Sequence, residues 1–264
     1  MSKWHLYQRA RSLLERIEWI AAFAGGRLAA LALLIRIKRD PVGMHQATYN
    51  RRPVLFRASD EGALKLVLVD MEYGFLAPFL GAAAAPRILD LGGHIGTFGA
   101  WCGSLAPDAE ILSVEADPGT FAVLEANAAT WRKDGFNWRT KHGAAWDRDG
   151  ESLLLDIGGA TMSHHVSNQG KVAVPSLSLP TLVELVAADG GMIDLLKVDI
   201  EGSEERLICS APAALDRIKN LVIELHPAMC DADRVHEMLR QRYAAVEAIR
   251  SGPSMKSILF CHDA

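Results

Sequence analysis

Short continuous apolar runs alternate with amphipathic stretches along most of the chain, and the two periods predict its elements. "RILDL" (Arg87 to Leu91), "EILSVEA" (Glu110 to Ala116), "DLLKVDI" and "LVIEL" read as strands buried on both faces. Helices are expected from about Thr97 to Leu105, from Pro118 through Ala129, from Thr181 to Ala188, from near Ser203, and from about Asp231 to Arg242. "FNWRTKHGAAW" holds a third strand, while "SLLLDI" and "KVAVPS" form a hairpin-like excursion around a polar loop. Ahead of these, "PVLFRAS" reads as a short strand and Glu61 to Leu80 as a helix ending near Gly81. The chain ends in "AAVEAI" and "KSILFCH", two strands joined by a Gly252-Pro253 turn, which adds an antiparallel strand. Strands alternating with helices predict an α/β fold, a mostly parallel sheet with helices on both faces.

A different pattern precedes Pro53. Leu13, Ile17, Ile20, Ala24, Leu28, Leu31 and Ile35 recur at three- and four-residue steps. They predict one apolar face on a long amphipathic helix, or on two helices broken near Gly25-Gly26. Two domains are therefore expected: an arm over 1–52 and the α/β domain over 53–264. The stretch from Trp19 to Ile35 is short for a membrane span and carries Arg27, and it lacks a signal-peptide cleavage pattern.

Charge sharpens that division. The chain carries 28 basic and 32 acidic residues, a net of -4. Up to Arg52, ten basic residues face three acids, leaving the arm at +7 and the remainder at -11. No chain-wide nucleic-acid surface is expected. The arm packs on its own domain or on a second copy, making a homodimer, or it lies peripherally on an anionic membrane. Packing is favoured because the stripe lacks an aromatic belt, although Trp4 and Trp19 keep the membrane reading open. Four scattered cysteines without a C-x-x-C pair suggest neither a zinc site nor disulfides, and suit a cytoplasmic location.

The most informative chemistry lies in "ILDLGGHIGTFG". A strand ends in Asp90, and Gly92, Gly93 and Gly96 precede a helix. Such glycines let a backbone come close to a ligand. The spacing is not the G-x-G-x-x-G of a dinucleotide site, which disfavours a nicotinamide-dependent oxidoreductase. Asp90 would repel a pyrophosphate but suits an amino group. Glu115 ends the next strand, where an acid accepts both hydroxyls of a ribose. Together they describe a nucleoside with a cationic amino-acid tail, as S-adenosylmethionine is.

"ILDLGGHIGTFG", "ILSVEADPGTFAVLEANAA", "LLKVDIEGSEERLI" and "LVIELHP" resemble, in order and spacing, the FkbM-type S-adenosylmethionine-dependent methyltransferases. The likeness runs from about Glu72 to Pro227 and leaves the arm outside it. It implies a seven-stranded class I methyltransferase fold (Rossmann-like) and methyl transfer to a hydroxyl of a sugar, glycan or polyketide-like acceptor, with S-adenosylhomocysteine as product. The cofactor residues it implies are Tyr73 over the methionine end, Asp90, Gly92, Gly93, His94, Gly96, Thr97, Glu115, Ala116, Ala144 and Asp199. Gly92-Gly93-His94 departs from the family's Gly-Ala-Asn, which leaves the turn but puts a role for His94 in doubt.

Acceptor chemistry is expected at the carboxyl ends of the later strands. Asp199 and Glu201 end one, and Glu224 and His226 the next. His226 has the ordinary pKa of a general base, with Asp199 or Glu201 as the alternatives. Each also has a plainer reading, as helix-start acids or a turn residue before Pro227. Lys197, inside an apolar strand, is expected to pair with Glu224 or Asp199, and His164-His165, in the polar loop of the hairpin, to reach over the substrate or, by the favoured reading, to lie in a solvated loop. Asp199, Glu224 and His226 could offer a divalent cation two oxygens and an imidazole, but spacing across two strands points weakly there, and no metal is expected. A protein without catalysis, docking through its arm, is the competing class.

Overall fold

The computed structural model describes residues 3–159, 161–249 and 257–263. The Gly252-Pro253 turn and the side chain of Trp4 fall outside the described residues. The arm is two helices, α1 (Lys3–Ala24) and α2 (Arg27–Arg39), bent by 106° at the two glycines. That bend corrects the expectation of one shared apolar face. Ile20 and Phe23 of α1 are buried, yet α2 buries Ala30, Leu33, Leu34 and Ile37 instead of Leu28, Leu31 and Ile35. Trp19 turns inward to an edge contact with Phe23, ring centroids 6.3 Å apart. No single described helix is long and apolar enough to cross a membrane, although the bent pair together meets the length and composition.

Two strands follow, β1 (His45–Tyr49) and β2 (Arg52–Phe56), paired antiparallel about Asn50 and Arg51 at φ 48° and 65°. The expected boundary at 52 and 53 falls inside this hairpin. Asn127 clamps the hairpin by accepting from Leu55 N (2.7 Å) and donating to Leu55 O (2.9 Å). Arg16 of α1 makes a bidentate ion pair with Glu61.

The helix expected over 61–80 is broken. A turn of α3 (Glu61–Ala63) widens into a π-helix (Leu64–Val69), and only after a 3-10 turn does α4 (Ala77–Ala82) begin, with Pro78 in its first turn. Two causes act together: Lys65 ties back to Asp70 at 2.5 Å, and Pro78 suits a helix start but not an interior. Met71 turns the chain at φ 55°, and Glu72 and Tyr73 are thereby buried.

The remaining elements are β3 (Arg87–Leu91), α5 (Thr97–Leu105), β4 (Glu110–Glu115), α6 (Pro118–Lys133), β5 (Asn137–His142), β6 (Ala144–Trp146), β7 (Ser152–Asp156), β8 (His165–Val166), β9 (Val172–Ser178), α7 (Leu179–Val186), β10 (Leu195–Val198), α8 (Glu204–Ser210), β11 (Asn220–Leu225), α9 (Ala232–Arg242), β12 (Ala245–Ile249) and β13 (Ser257–His262). Asp117 caps α6 by accepting from Thr120 N at 2.6 Å, and Asp231 caps α9 by accepting from Arg234 N at 3.0 Å.

Seven strands form one sheet in the order β12-β13-β11-β10-β3-β4-β5. The joins from β11 through β5 are parallel, and β13 runs antiparallel to both its neighbours, as the two-strand ending predicts. This is the seven-stranded, mostly parallel sheet that the resemblance implies. All four residues of β10 are buried, because helices cover both faces. Ile88, Ile111 and Leu195 pack toward α5, α6 and the arm, while Leu89, Leu112 and Leu196 pack toward α7, α8 and α9. The expected third strand divides at Gly143, its end passing as β6 into a second sheet, β6-β9-β7-β8, which contains the expected hairpin.

Candidate active site

At the carboxyl ends of β3, β4 and β10 the chain encloses a cleft of ≈ 950 Å³, its open mouth included. Gly92 makes this end of the sheet possible. Its φ is +77°, and a Cβ there would lie 1.7 Å from the carbonyl oxygen of Asp199, so only glycine lets β3 and β10 close together. Of the residues expected to hold a cofactor, Tyr73, Gly92, Gly93, His94, Thr97, Glu115, Ala116, Ala144 and Asp199 line this cleft, as do Ala145 and Phe98.

Asp90 and Gly96 do not. Asp90 is fully buried beneath the turn, accepting from Ser113 Oγ at 2.8 Å, with Lys197 Nζ 3.4 Å away. The two are register partners on adjacent parallel strands, so Asp90 holds a lysine rather than facing a ligand. Lys197 also donates to Gly92 O at 2.7 Å and lies 3.8 Å from Asp199. Its nearest acid is thus Asp90, not the expected Glu224 or Asp199. Gly96 opens α5 against Leu124 and Trp138.

Glu115 stands at the wall with both oxygens oriented. Oε2 accepts from His94 N at 2.9 Å and Oε1 from Asp117 N at 2.8 Å. Burial pushes its carboxyl up to about 7, against the pull of those two hydrogen bonds. His94, held at φ 49°, is pushed down to about 4 by burial and is a neutral imidazole.

The cleft is roofed by Thr161, Met162, His164 and His165. Thr161 meets His94 Nε2 and Asp60 Oδ1, each at 3.1 Å, and Arg57 secures Asp60 at 2.8 Å. His164 Nδ1 reaches Asp117 Oδ2 at 2.9 Å, and its side chain is only 10% exposed. The expected solvated loop is therefore a packed flap, and His164, His165 and Met162 face the cleft. Glu72 also lines it. The broken helix delivers Glu72, and long-range pairing delivers His164. Trp146 lies outside the cleft lining and stacks under Arg206, 4.9 Å from its ring.

The later strand ends form an ion-pair network. Asp199 and Glu201 line the cleft, with Glu201 at the strained φ of 51°. His226 sits behind them, outside the lining. Its Nδ1 lies 2.8 Å from Glu204 Oε1, and its Nε2 lies 3.3 Å from Glu201 and 3.5 Å from Glu224. Burial favours neutral imidazole, but the Glu204 hydrogen bond and the charges of Glu204, Glu201 and Asp199 outweigh it, pushing His226 up to about 9. Asp199, Glu224 and His226 bring ligand-type atoms within 4.8 Å of one another. Each imidazole nitrogen already faces a carboxylate and Lys197 attends Asp199, so ion pairing accounts for the cluster.

A family model, the methyltransferase FkbM domain, matches residues 90–246. Hexuronic acid methyltransferase AglP of Haloferax volcanii is 25% identical over 158 residues, which cover 60% of this chain and 63% of that protein. The chain thus spans less than two thirds of that relative's length. Among solved structures, the bifunctional kinase-methyltransferase WbdD aligns at TM-score 0.44 and 16% identity, covering 78% of this chain and 40% of that one. A SAM-dependent methyltransferase from Agrobacterium tumefaciens aligns at TM-score 0.46 and 10% identity, covering 84% and 70%.

Proposed function

The chain belongs to the FkbM methyltransferase family, and from that premise we propose that it moves a methyl group from S-adenosylmethionine to a hydroxyl oxygen of a sugar or glycan, or of a polyketide-like metabolite. The likeness to a hexuronic acid methyltransferase supports the carbohydrate end of that range. The observation that carries the reading is the charge of the cleft. Glu72, Glu115, Asp199 and Glu201 line it, with Lys197 as the opposing lysine. Asp199 Oδ1 and His94 Nδ1 are buried there without a hydrogen-bond partner. A cationic nucleoside with polar edges fits that set, whereas a pyrophosphate would meet four carboxyl groups against a single lysine.

In this reading Glu115 accepts the ribose hydroxyls, and Asp199 receives the cationic tail in place of the buried Asp90. Ala116, Ala144 and Ala145 leave room for an adenine edge, and Tyr73 covers the methionine end. Bound there, S-adenosylmethionine supplies an electrophilic methyl whose C–S bond breaks as the acceptor oxygen attacks in line. Glu201, at the cleft wall, takes the hydroxyl proton. His226, as an imidazolium behind it, positions the carboxylate and is itself oriented by Glu204. The base thus moves from the expected His226 to its partner.

Calorimetry with S-adenosylhomocysteine tests this. The parent should bind in the micromolar range, and Glu115→Ala should weaken binding by about 1.5 to 3 kcal/mol, the worth of a hydrogen bond to a charged group. Absence of binding by the parent would leave a docking protein as the better account.

A further inference from the structure

The arm presents a second apolar face that the fold leaves open. On α2, Leu28 is 85%, Leu31 42% and Ile35 44% exposed, and Val42 just beyond is 86% exposed. At about 100° per residue, Leu28, Leu31 and Ile35 fall within about 60° of one another around the helix, roughly 140° from the centre of its buried face. Arg27 and Lys38 flank this stripe on one side, Arg36 and Arg39 on the other, and α2 contains no acid. Glu18 pairs with Arg27 at 2.7 Å, leaving the three basic residues of the last turn to set the charge of the face.

We propose that this face docks on an anionic lipid bilayer, with α2 lying in the plane of the headgroups. An apolar stripe bordered on both sides by cations matches such a surface in both polarity and charge. A second copy of the chain matches it poorly, since α2 contains no acid to set against the basic borders of its twin. Insertion across the bilayer also fits badly: thirteen residues of α2 span about 20 Å, short of the roughly 30 Å hydrocarbon core, and the 106° bend turns the helix away from α1. The inner face of α2 and the Arg16–Glu61 pair tie the arm to its own domain, so docking needs no unfolding. This proposal stands whether or not the methyl-transfer reading holds.

The test is flotation of the full chain with phosphatidylserine–phosphatidylcholine vesicles, against phosphatidylcholine alone. Binding should require the anionic lipid and fall steeply with added salt. Leu28→Ser/Leu31→Ser/Ile35→Ser should abolish it with an unchanged thermal midpoint. Should that variant misfold, Arg36→Gln/Lys38→Gln/Arg39→Gln changes only exposed charges and should lower vesicle affinity about 100-fold. Equal binding to neutral vesicles, or none to either, overturns the proposal. So does protein that resists alkaline extraction, which would mean insertion. A dimer by light scattering that the serine variant dissolves overturns it in favour of a second copy.

Discussion

At the end of β4, Glu115 stands at the cleft wall beside Asp117 and is pushed up to about 7, chiefly by burial. At the ends of β10 and β11 acids crowd together, and there it is the base, His226, that is pushed up to about 9. Both sites lie at one edge of one sheet, yet they balance charge in opposite ways. Around Glu115 burial is the strongest effect, so the carboxyl is only partly ionised near neutral pH. Around His226 burial is again the strongest single effect, but one close hydrogen bond and three negative charges exceed it together. The first arrangement leaves a group ready to be ionised by a ligand's hydroxyls. The second fixes a proton on an imidazole and leaves its carboxylate partners charged. The difference suits a cofactor half that recognises and an acceptor half that receives a proton.

Lys197 joins the two halves, so removing it should produce the largest effect. Its ammonium lies 3.4 Å from Asp90 and 3.8 Å from Asp199. Lys197→Met leaves Asp90 charged and unpaired in a site closed to water, a change that costs about 3 to 5 kcal/mol. Urea denaturation should show that loss, and Asp90→Asn added to Lys197→Met should recover most of it. A loss under about 1 kcal/mol in the single variant would mean that the halves balance independently.

The acceptor half is tested by ranking its members. Glu201→Gln should lower turnover about 100-fold or more while leaving S-adenosylhomocysteine affinity near that of the parent. His226→Gln, which removes a positioning partner, should cost less, and acting through Glu201 it should have little further effect in the Glu201→Gln background. Single-turnover rates at saturating cofactor give the ranking. A larger loss in His226→Gln than in Glu201→Gln would return the base to the histidine.

How much of this could be read from residues alone depends on the range of the forces involved. The buried strands were legible because burial on both faces leaves continuous apolar runs such as "LLKV". The place of Glu115 at the cleft wall was legible because it lies at a strand end after a glycine turn. Asp90 shared those marks, yet it went to Lys197, a partner 107 residues away whose register only sheet pairing sets. Pro78 signals the break in the helix expected over 61–80, but the turn at Met71 that buries Glu72 and Tyr73 has no local mark. The hairpin at Asn50-Arg51 lacks the glycine that usually announces such a turn. On α2 the outward stripe has the spacing of an inward one, and the bend at two glycines decides which face meets the core.

A further prediction separates the halves by pH. Glu115 has a folded value of about 7 against an ordinary 4.5, so its contribution to stability is full below 4.5 and is lost as pH rises through 7. His226, at about 9 against an ordinary 6.5, contributes fully below 6.5 and loses its part as pH rises through 9. The free protein should therefore lose stability in two successive windows. Saturating S-adenosylhomocysteine should act on the first alone, because ribose hydroxyls donate to the ionised Glu115 and pull its value back down. By the same linkage, affinity should rise with pH up to about 7, by at most tenfold per unit, and then level off. Thermal midpoints from pH 5 to 10, with and without the ligand, give both windows, and Glu115→Gln should erase the first. A ligand that closed both windows would show the two strand ends titrating as one coupled site, and the contrast between them would not hold.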